Sequence, residues 1–408
     1  MSDASRDICI AFLLPLVAKM ITFAGNLFFS FMKIFITGMG SVSALGNDFN
    51  STTEAYRNSD TYIKYDAPPT APLCSSSKKE IETLKNLYPE YKGLDPSVLF
   101  AIIAARKAVQ QAQWRENTFG INIGSSRGAT SLFEQHYQYF LTHQKCATLA
   151  SPSTTLGNIA SWVGQDLKSD RFEMSHSITC STALHALVNG IAWLKSGMEN
   201  RFLVGGSEAP LTPFTIAQAQ ALKIYSSLNQ PYPCRAMDMQ KQQNTMVLGE
   251  GAAVFCLEKE ESAKALALIT GVGYATEPIA HSVAISADAK CLQKSMTMAL
   301  KNHDKNTVDV IVTHTPGTLK GDKAELIAVQ NVFGTNIPAL TNNKWKLGHT
   351  YGASGALSLE MAILMLNLQE FFPVPYISYA KTPQKINKIL VNAVGFGGNA
   401  VSVVLERK

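Results

Sequence analysis

Ser175–Gly197 reads SHSITCSTALHALVNGIAWLKSG. A short polar run ends at Cys180, and a run of Ala, Leu, Val and Ile with helical spacing begins there. The other six cysteines (Cys9, Cys74, Cys146, Cys234, Cys256 and Cys291) have no such setting. A cysteine that opens a helix lies near unpaired backbone N–H groups and the positive end of the helix dipole. That setting lowers a thiol pKa and favours the nucleophilic thiolate. A free cysteine taken alone is more often a small buried hydrophobe. The reading of Cys180 therefore depends on its companions.

Outward from this segment, strand-like and helix-like stretches alternate, the pattern of an α/β fold. KIFITGMG after Met32 reads as a buried strand followed by a glycine turn. Residues 51–95 are polar and read as surface connections. Ser97–Gln113 has helical periodicity, and FGINIGSSRG (Phe119–Gly128) is a strand ending in small residues. Asn158–Val163 belongs to another helix. RFLVGGSEA and GEGAAVFCLEK are further strands. The second half repeats this order, closing on KILVNAVGFGGNAVSVVLER, a strand, a glycine turn and a strand. Cys180–Lys195 and His349–Leu366 read as counterpart helices. Both are poor in charge and rich in small and apolar residues, so both are expected to be buried on all sides. One such helix per half implies a duplicated fold with its site where the halves meet.

The 408 residues are 46% hydrophobic and 16% charged, enough chain for a large core. A net charge of +5 is too mild for nucleic acid and is compatible with an acidic macromolecular partner. No cysteine pair has CxxC spacing, so a zinc site or thioredoxin-like motif is not expected. The scattered thiols suit a reducing compartment, so a cytoplasmic protein is expected. Residues 8–31, ICIAFLLPLVAKMITFAGNLFFSF, are long enough to cross a bilayer, with Pro15, Lys19 and Asn26 as interruptions. Residues 1–31 read either as a membrane anchor or as an extension ahead of a start at Met32. The expected division is 1–31, then an N-terminal half at 32–265 and a C-terminal half at 266–408.

Two histidines accompany Cys180. His314 ends the strand-like VDVIVTH, before a Pro/Gly turn. His349 sits at a glycine step in KWKLGHTYGASGA. One cysteine and two histidines, each at the mouth of a strand or helix, form a set that packing alone explains poorly. From Met32 to Lys408 the motifs resemble, in order, a β-ketoacyl-[acyl carrier protein] synthase of the elongating Cys-His-His type. That family belongs to the thiolase superfamily. ITCSTALHA is similar to its nucleophile segment. CRAMD with VLGEGAAVFCLE, THTPGTLKGDKAE, KWKLGHTYGASGA and VGFGGNAVSVVLE resemble the later motifs.

The resemblance implies a duplicated fold layered α-β-α-β-α, with two mixed five-stranded sheets around buried helices. It implies that Cys180 carries the acyl chain as a thioester, while His314 and His349 assist decarboxylation of malonyl-carrier protein. Lys344 would be the family's lysine, paired with Glu325, and Asp322 would support the turn. Lys346 reads as an ordinary lysine beside it. Backbone N–H groups of Cys180 and Phe396 would form the oxyanion hole, and Phe396 would gate the acyl pocket. Gly395, Gly397 and Gly398 would let that turn approach substrate closely. No metal or separate cofactor is implied, since substrates ride on the phosphopantetheine arm of acyl carrier protein. The implied partners are acyl carrier protein, with Lys78, Lys79 and Lys92 as candidate contacts, and a second subunit in a homodimer or a heterodimer.

Two departures stand out. Thr315-Pro316 follows His314 where the family has Gly-Thr, and Pro316 lacks an N–H donor and fixes φ. LKSDRFEMSHS precedes Cys180 where the family has a Gly-Pro loop. These suggest a specialised ketosynthase, for a polyene or pigment chain. A degradative thiolase would need a second cysteine near the C-terminus, and the last is Cys291. An initiating ketosynthase would carry Asn in place of His349. A non-catalytic chain-length-factor-like subunit is the alternative from another class, and such subunits lack the nucleophile.

Overall fold

The computed structural model describes residues 33–156, 158–229, 231–278 and 285–408. The apolar run at residues 8–31 lies outside the described residues.

Five strands form the first block: β1 (Ile34–Val42), β2 (Gly120–Gly124), β3 (Glu173–Met174), β4 (Arg201–Glu208) and β5 (Gly251–Glu258). Helix α1 (Pro96–Ala112) follows β1, α2 (Asn158–Leu167) follows β2, and α3 (Thr182–Ser196) follows β3. The second block repeats this with β6 (Ala267–Thr276), α4 (Lys290–Ala299), β7 (Val310–Val312), α5 (Leu319–Phe333), β8 (Ala339–Thr341), α6 (Ser354–Leu368), β9 (Lys388–Gly395) and β10 (Asn399–Glu406). The hydrogen-bonded order is β8-β7-β9-β10-β6-β1-β5-β4-β2-β3. Within each block the first two junctions from the outer edge are parallel and the next two antiparallel. Pairing order and strand direction thus repeat, as a duplicated thiolase-like α/β fold requires. The two expected five-stranded sheets are blocks of one continuous order, joined where Ile34, Phe35 and Ile36 pair with Ile269, Leu268 and Ala267.

The glycines of GMG are not a turn. β1 runs through them to Val42, because they let α1 lie directly on the strand. A Cβ at Gly38 would stand 2.2 Å from the Ala108 carbonyl oxygen, and one at Gly40 would stand 2.2 Å from that of Ala104. Alanines on the helix and glycines on the strand make one close-packed seam.

Residues 51–95 also differ from expectation. They contribute to helices at Phe49–Arg57 and Ser75–Leu87 that bury Tyr56, Ile81 and Leu84. Their polar residues are the outer faces of amphipathic helices, not loops.

α6 is buried from Ser354 through Leu366 and touches β9, β5, β4 and α3. It is buried all round, as its composition predicts. Among the described residues one helical stretch, Tyr351–Leu368, is apolar and long enough to cross a membrane, and 83% of it is buried inside the protein. α3 is buried along one side only, with Ala192 and Lys195 exposed. Its apolar composition overstates its burial, because small residues are tolerated on an open face as well as in a core. The two helices meet closely: a Cβ on Gly355 would lie 2.8 Å from Leu184 Cγ. The mouths of the blocks converge beside this contact.

Candidate active site

Cys180 is 6% exposed and precedes α3 by two residues. It lies in the tight turn before the helix, not on the expected helix. Thr179, just before it, has φ +49°, a left-handed conformation that costs a β-branched residue free energy. The Ile178 N–H donates to Thr182 Oγ1 at 2.8 Å, and the Thr182 hydroxyl donates to the Thr179 carbonyl at 2.6 Å. The turn at Gly395–Gly398 packs against this elbow. Thr179 Oγ1 donates to the Phe396 carbonyl at 3.2 Å. A Cβ on Gly395 would fall 1.9 Å from Thr179 Oγ1 and 3.0 Å from the Cys180 amide nitrogen. Only a residue without a side chain fits there. Gly397 and Gly398 adopt φ +90° and +69°, and the Phe396 ring is 37% exposed.

His314 and His349 are buried with ring centroids 5.2 Å apart and planes at 80°. The His314 turn is held by its backbone. Glu325 accepts from the amides of His314 and Thr315 at 2.9 and 2.7 Å and from Asn392 Nδ2 at 3.2 Å. Asp322 accepts from the Gly317 amide at 2.9 Å, the Met237 amide at 3.0 Å and Lys241 Nζ at 2.8 Å. Asn342 Nδ2 donates to the carbonyls of Thr313 and Thr315, each at 3.1 Å. The Gly317 carbonyl accepts from the amide and hydroxyl of Thr245 at 2.9 and 2.8 Å. These bonds define the turn with Pro316 in it.

His349 is not on a helix. It bridges Leu248: its N–H donates to the Val247 carbonyl at 2.7 Å, and Gly249 N–H donates to its carbonyl at 3.1 Å. α6 starts only at Ser354.

Lys344 is fully buried, and among the described residues its Nζ has no hydrogen-bond partner. The expected direct Lys344–Glu325 pair is not formed, because both Glu325 oxygens are taken up by backbone amides and Asn392. Glu325 acts on the ammonium through space. Burial lowers the Lys344 pKa to about 8, opposed first by the charge of Glu325. Lys346 is no surface lysine either. It is 1% exposed, with Nζ donating to Asn58 Oδ1 at 2.8 Å and the Asp60 carbonyl at 2.7 Å.

Burial and then the Lys344 charge hold both imidazoles well below their ordinary range, so both are neutral near pH 7. Burial, then the nearby Glu208 carboxylate, pushes the Cys180 thiol up to about 12, with Lys344 pulling the other way. The resting thiolate expected from a helix start is therefore not what this site favours. Desolvation outweighs the dipole because the sulfur is enclosed. All six described cysteines are free thiols.

Glu208 was not singled out from the sequence. It is fully buried and accepts from Ser125 Oγ at 2.9 Å and from the amides of Ser126, Arg127 and Gly352 at 2.7, 3.0 and 2.9 Å. One carboxylate thus ties the loop after β2 to the loop after His349. Asn342, Asn392, Lys241 and Thr245 were also missed. Each sits far in sequence from the turn it supports, and no local spacing marks it. Lys78, Lys79 and Lys92 are exposed.

Residues 32–263 match the family model of the beta-ketoacyl synthase N-terminal domain, and residues 266–377 match that of the C-terminal domain. The chain belongs to the beta-ketoacyl synthase family. This synthase is 26% identical to 3-oxoacyl-[acyl-carrier-protein] synthase 2 of Staphylococcus aureus (strain MRSA252), over 92% of this chain and 98% of the relative. Its fold is similar to that of a solved type II polyketide synthase acyl-carrier protein in complex with its ketosynthase bound to the hexaketide. That similarity has a TM-score of 0.81 at 21% identity, covering 92% of this chain and 100% of the other. It is also similar to the ishigamide ketosynthase/chain length factor, with a TM-score of 0.81 at 19% identity, covering 92% and 99%. This synthase is an acyl-transferring enzyme.

Proposed function

We propose that this synthase catalyses decarboxylative Claisen condensation of an acyl thioester on Cys180 with malonyl-[acyl carrier protein]. The product is a 3-oxoacyl-[acyl carrier protein]. One observation supports this most directly: two imidazoles, both held neutral, stand ring to ring in a buried setting that shares the charge of Lys344 with one enclosed thiol.

In the first step Cys180 Sγ attacks the acyl thioester carbonyl and the carrier's pantetheine thiol leaves, taking the proton that Cys180 gives up. The amides of Cys180 and Phe396 receive the oxyanion. In the second step the malonyl group loses carbon dioxide. The enolate oxygen is stabilised by N–H groups of His314 and His349, which suits neutral rings with one N–H each. The enolate carbon attacks the thioester carbonyl, the carbon–sulfur bond breaks, and Cys180 leaves as thiolate and takes up a proton from solvent. Covalent catalysis divides one hard step into two easier ones. Burial, and then the charge of Lys344, keeps the imidazoles neutral, and that charge favours thiolate when the thioester breaks. Glu325 and Asp322 hold the His314 turn, Phe396 gates the acyl pocket, and Gly395, Gly397 and Gly398 shape the turn that carries it.

Substrates arrive on the phosphopantetheine arm of acyl carrier protein, so no separate cofactor enters this scheme. The setting is cytoplasmic, in fatty-acid or specialised polyene-like biosynthesis. A homodimer belongs to this reading. The outer edge of β3 and the exposed Phe133, Phe140, Leu141 and Leu149 offer a face for it.

Intact-mass spectrometry after incubation with acyl-carrier protein, then malonyl-carrier protein, tests the function. The expected result is an acyl adduct that Cys180→Ala abolishes and that disappears as a two-carbon-longer product forms. A folded protein with no adduct across a chain-length panel would leave the chain-length-factor-like subunit as the better reading.

A further inference from the structure

Tyr351 lies two residues after His349, in a stretch where the sequence offers no reason to single it out. Its backbone has φ +41°, a strained conformation for a bulky residue. Strain of this kind persists where surrounding bonds over-determine it. Here the next residue, Gly352, is fixed: its amide donates to buried Glu208, and a Cβ on it would stand 2.5 Å from the Ser126 amide nitrogen. The Gly352 carbonyl in turn packs against Gly206, 2.8 Å from where a Cβ there would lie.

The strained backbone sets the Tyr351 ring beside that of His349. The Tyr351 ring lies 5.6 Å from that of His349 at 62°, extending the edge-to-face row begun by His314. The ring also packs beside Tyr225, Met246 and Leu248. Among the described residues its hydroxyl has no hydrogen-bond partner. Burial, then the charge of Cys180, holds the phenol above its ordinary range. The group is thus a hydrogen-bond donor at every working pH.

Tyr351 is half-buried, and its hydroxyl is not among the enclosed polar atoms, so water reaches it. An alkyl chain that displaces this water leaves the hydroxyl unpaired at a cost, and an acceptor that takes the water's place restores the bond. We propose that Tyr351 is a substrate-contacting specificity residue whose hydroxyl hydrogen-bonds an oxygen on the first carbons of the acyl group. This synthase accordingly selects acyl chains oxygenated near the thioester over plain alkyl chains. The inference rests on the ketosynthase reading and specifies its substrate class.

The test compares acylation of Cys180 by the pantetheine thioesters of 3-hydroxyhexanoate and hexanoate, followed by intact mass, in wild type and Tyr351→Phe. The expected wild-type preference for the hydroxylated chain is about tenfold, and Tyr351→Phe should bring the ratio to within about twofold. The ratio is internal to each protein, so a change in the folded fraction does not alter it. Adducts without preference in wild type, or an undiminished preference in Tyr351→Phe, would overturn the inference and leave the ketosynthase reading intact. No adduct with either thioester would overturn both.

Discussion

The turn that carries His314 and the turn that carries Cys180 are built by opposite means. Around His314 two buried carboxylates, Asn342 and Thr245 satisfy the backbone bond by bond, and Asn392 holds one of the carboxylates. Around Cys180 the hydrogen bonds are almost all local, among Ile178, Thr179, Ser181 and Thr182, and no buried carboxylate takes part in them. A residue in left-handed conformation and a side-chain-free partner at Gly395 fix the geometry by contact. A hydrogen-bonded turn can hold an unusual sequence, and the Thr315-Pro316 departure is tolerated where the bonds go to flanking groups. A turn set by contact tolerates no added atom. The difference suits their tasks: a histidine must keep its aim while charge develops, and a thiol must remain open to an incoming acyl group.

The largest effect that would sharpen this contrast is expected at Gly395→Ala. The new methyl collides with Thr179 and crowds the Cys180 amide. Displacing the elbow by about 1 Å should slow acylation about 10²-fold, read by the rate of adduct formation. A near-wild-type rate would show that the cysteine turn is compliant. Next comes Glu325→Ala, which strips the buried amides of His314 and Thr315 of their acceptor. The expected loss is about 2–5 kcal/mol of stability, read as a lower denaturation midpoint in urea. Glu325→Gln, which keeps one acceptor, should lose less. Equal losses in the two variants would show that packing, not the bonds, holds the turn.

The smallest effect is in pH. In the unfolded chain each imidazole takes up a proton near about pH 6.5, whereas the folded chain resists protonation of both until well below that. The unfolded state therefore binds more protons below that pH. Stability should be full above about pH 6.5 and fall as the pH drops through and below it. Melting temperatures from pH 7.5 to 5 would show this, and His349→Asn should flatten the slope. An unchanged slope would mean that His349 is not protected from protonation.

Much of the site was legible in the chain. Cys180, His314 and His349 each stand where an apolar stretch meets small or turn-forming residues, and that punctuation is local. The glycines of VGFGGNA signalled a close approach, and Gly395 makes one. The GMG of β1 carries the same signal within a strand, because a glycine in sequence does not say whether the chain turns or a helix comes near. α3 shows the converse, as its small residues do not tell an open face from a closed one. Glu208, Asn342 and Asn392 were invisible for another reason. A buried polar residue is recognised by the groups it satisfies, and those lie in other segments.

The sequence by itself determined the strand and helix alternation and its repeat in the second half, and it singled out the three residues that the proposed reaction uses, since each follows from short-range pattern and residue chemistry. Tertiary structure decided their protonation. A helix start predicts a thiolate at Cys180, but enclosure by both blocks, with Glu208 beside it, holds the proton on. The same enclosure keeps two histidines neutral and leaves the Lys344 ammonium without a hydrogen-bond partner among the described residues. Charge in a protein is set by the distance to water and to other charges, and only the folded chain fixes those distances.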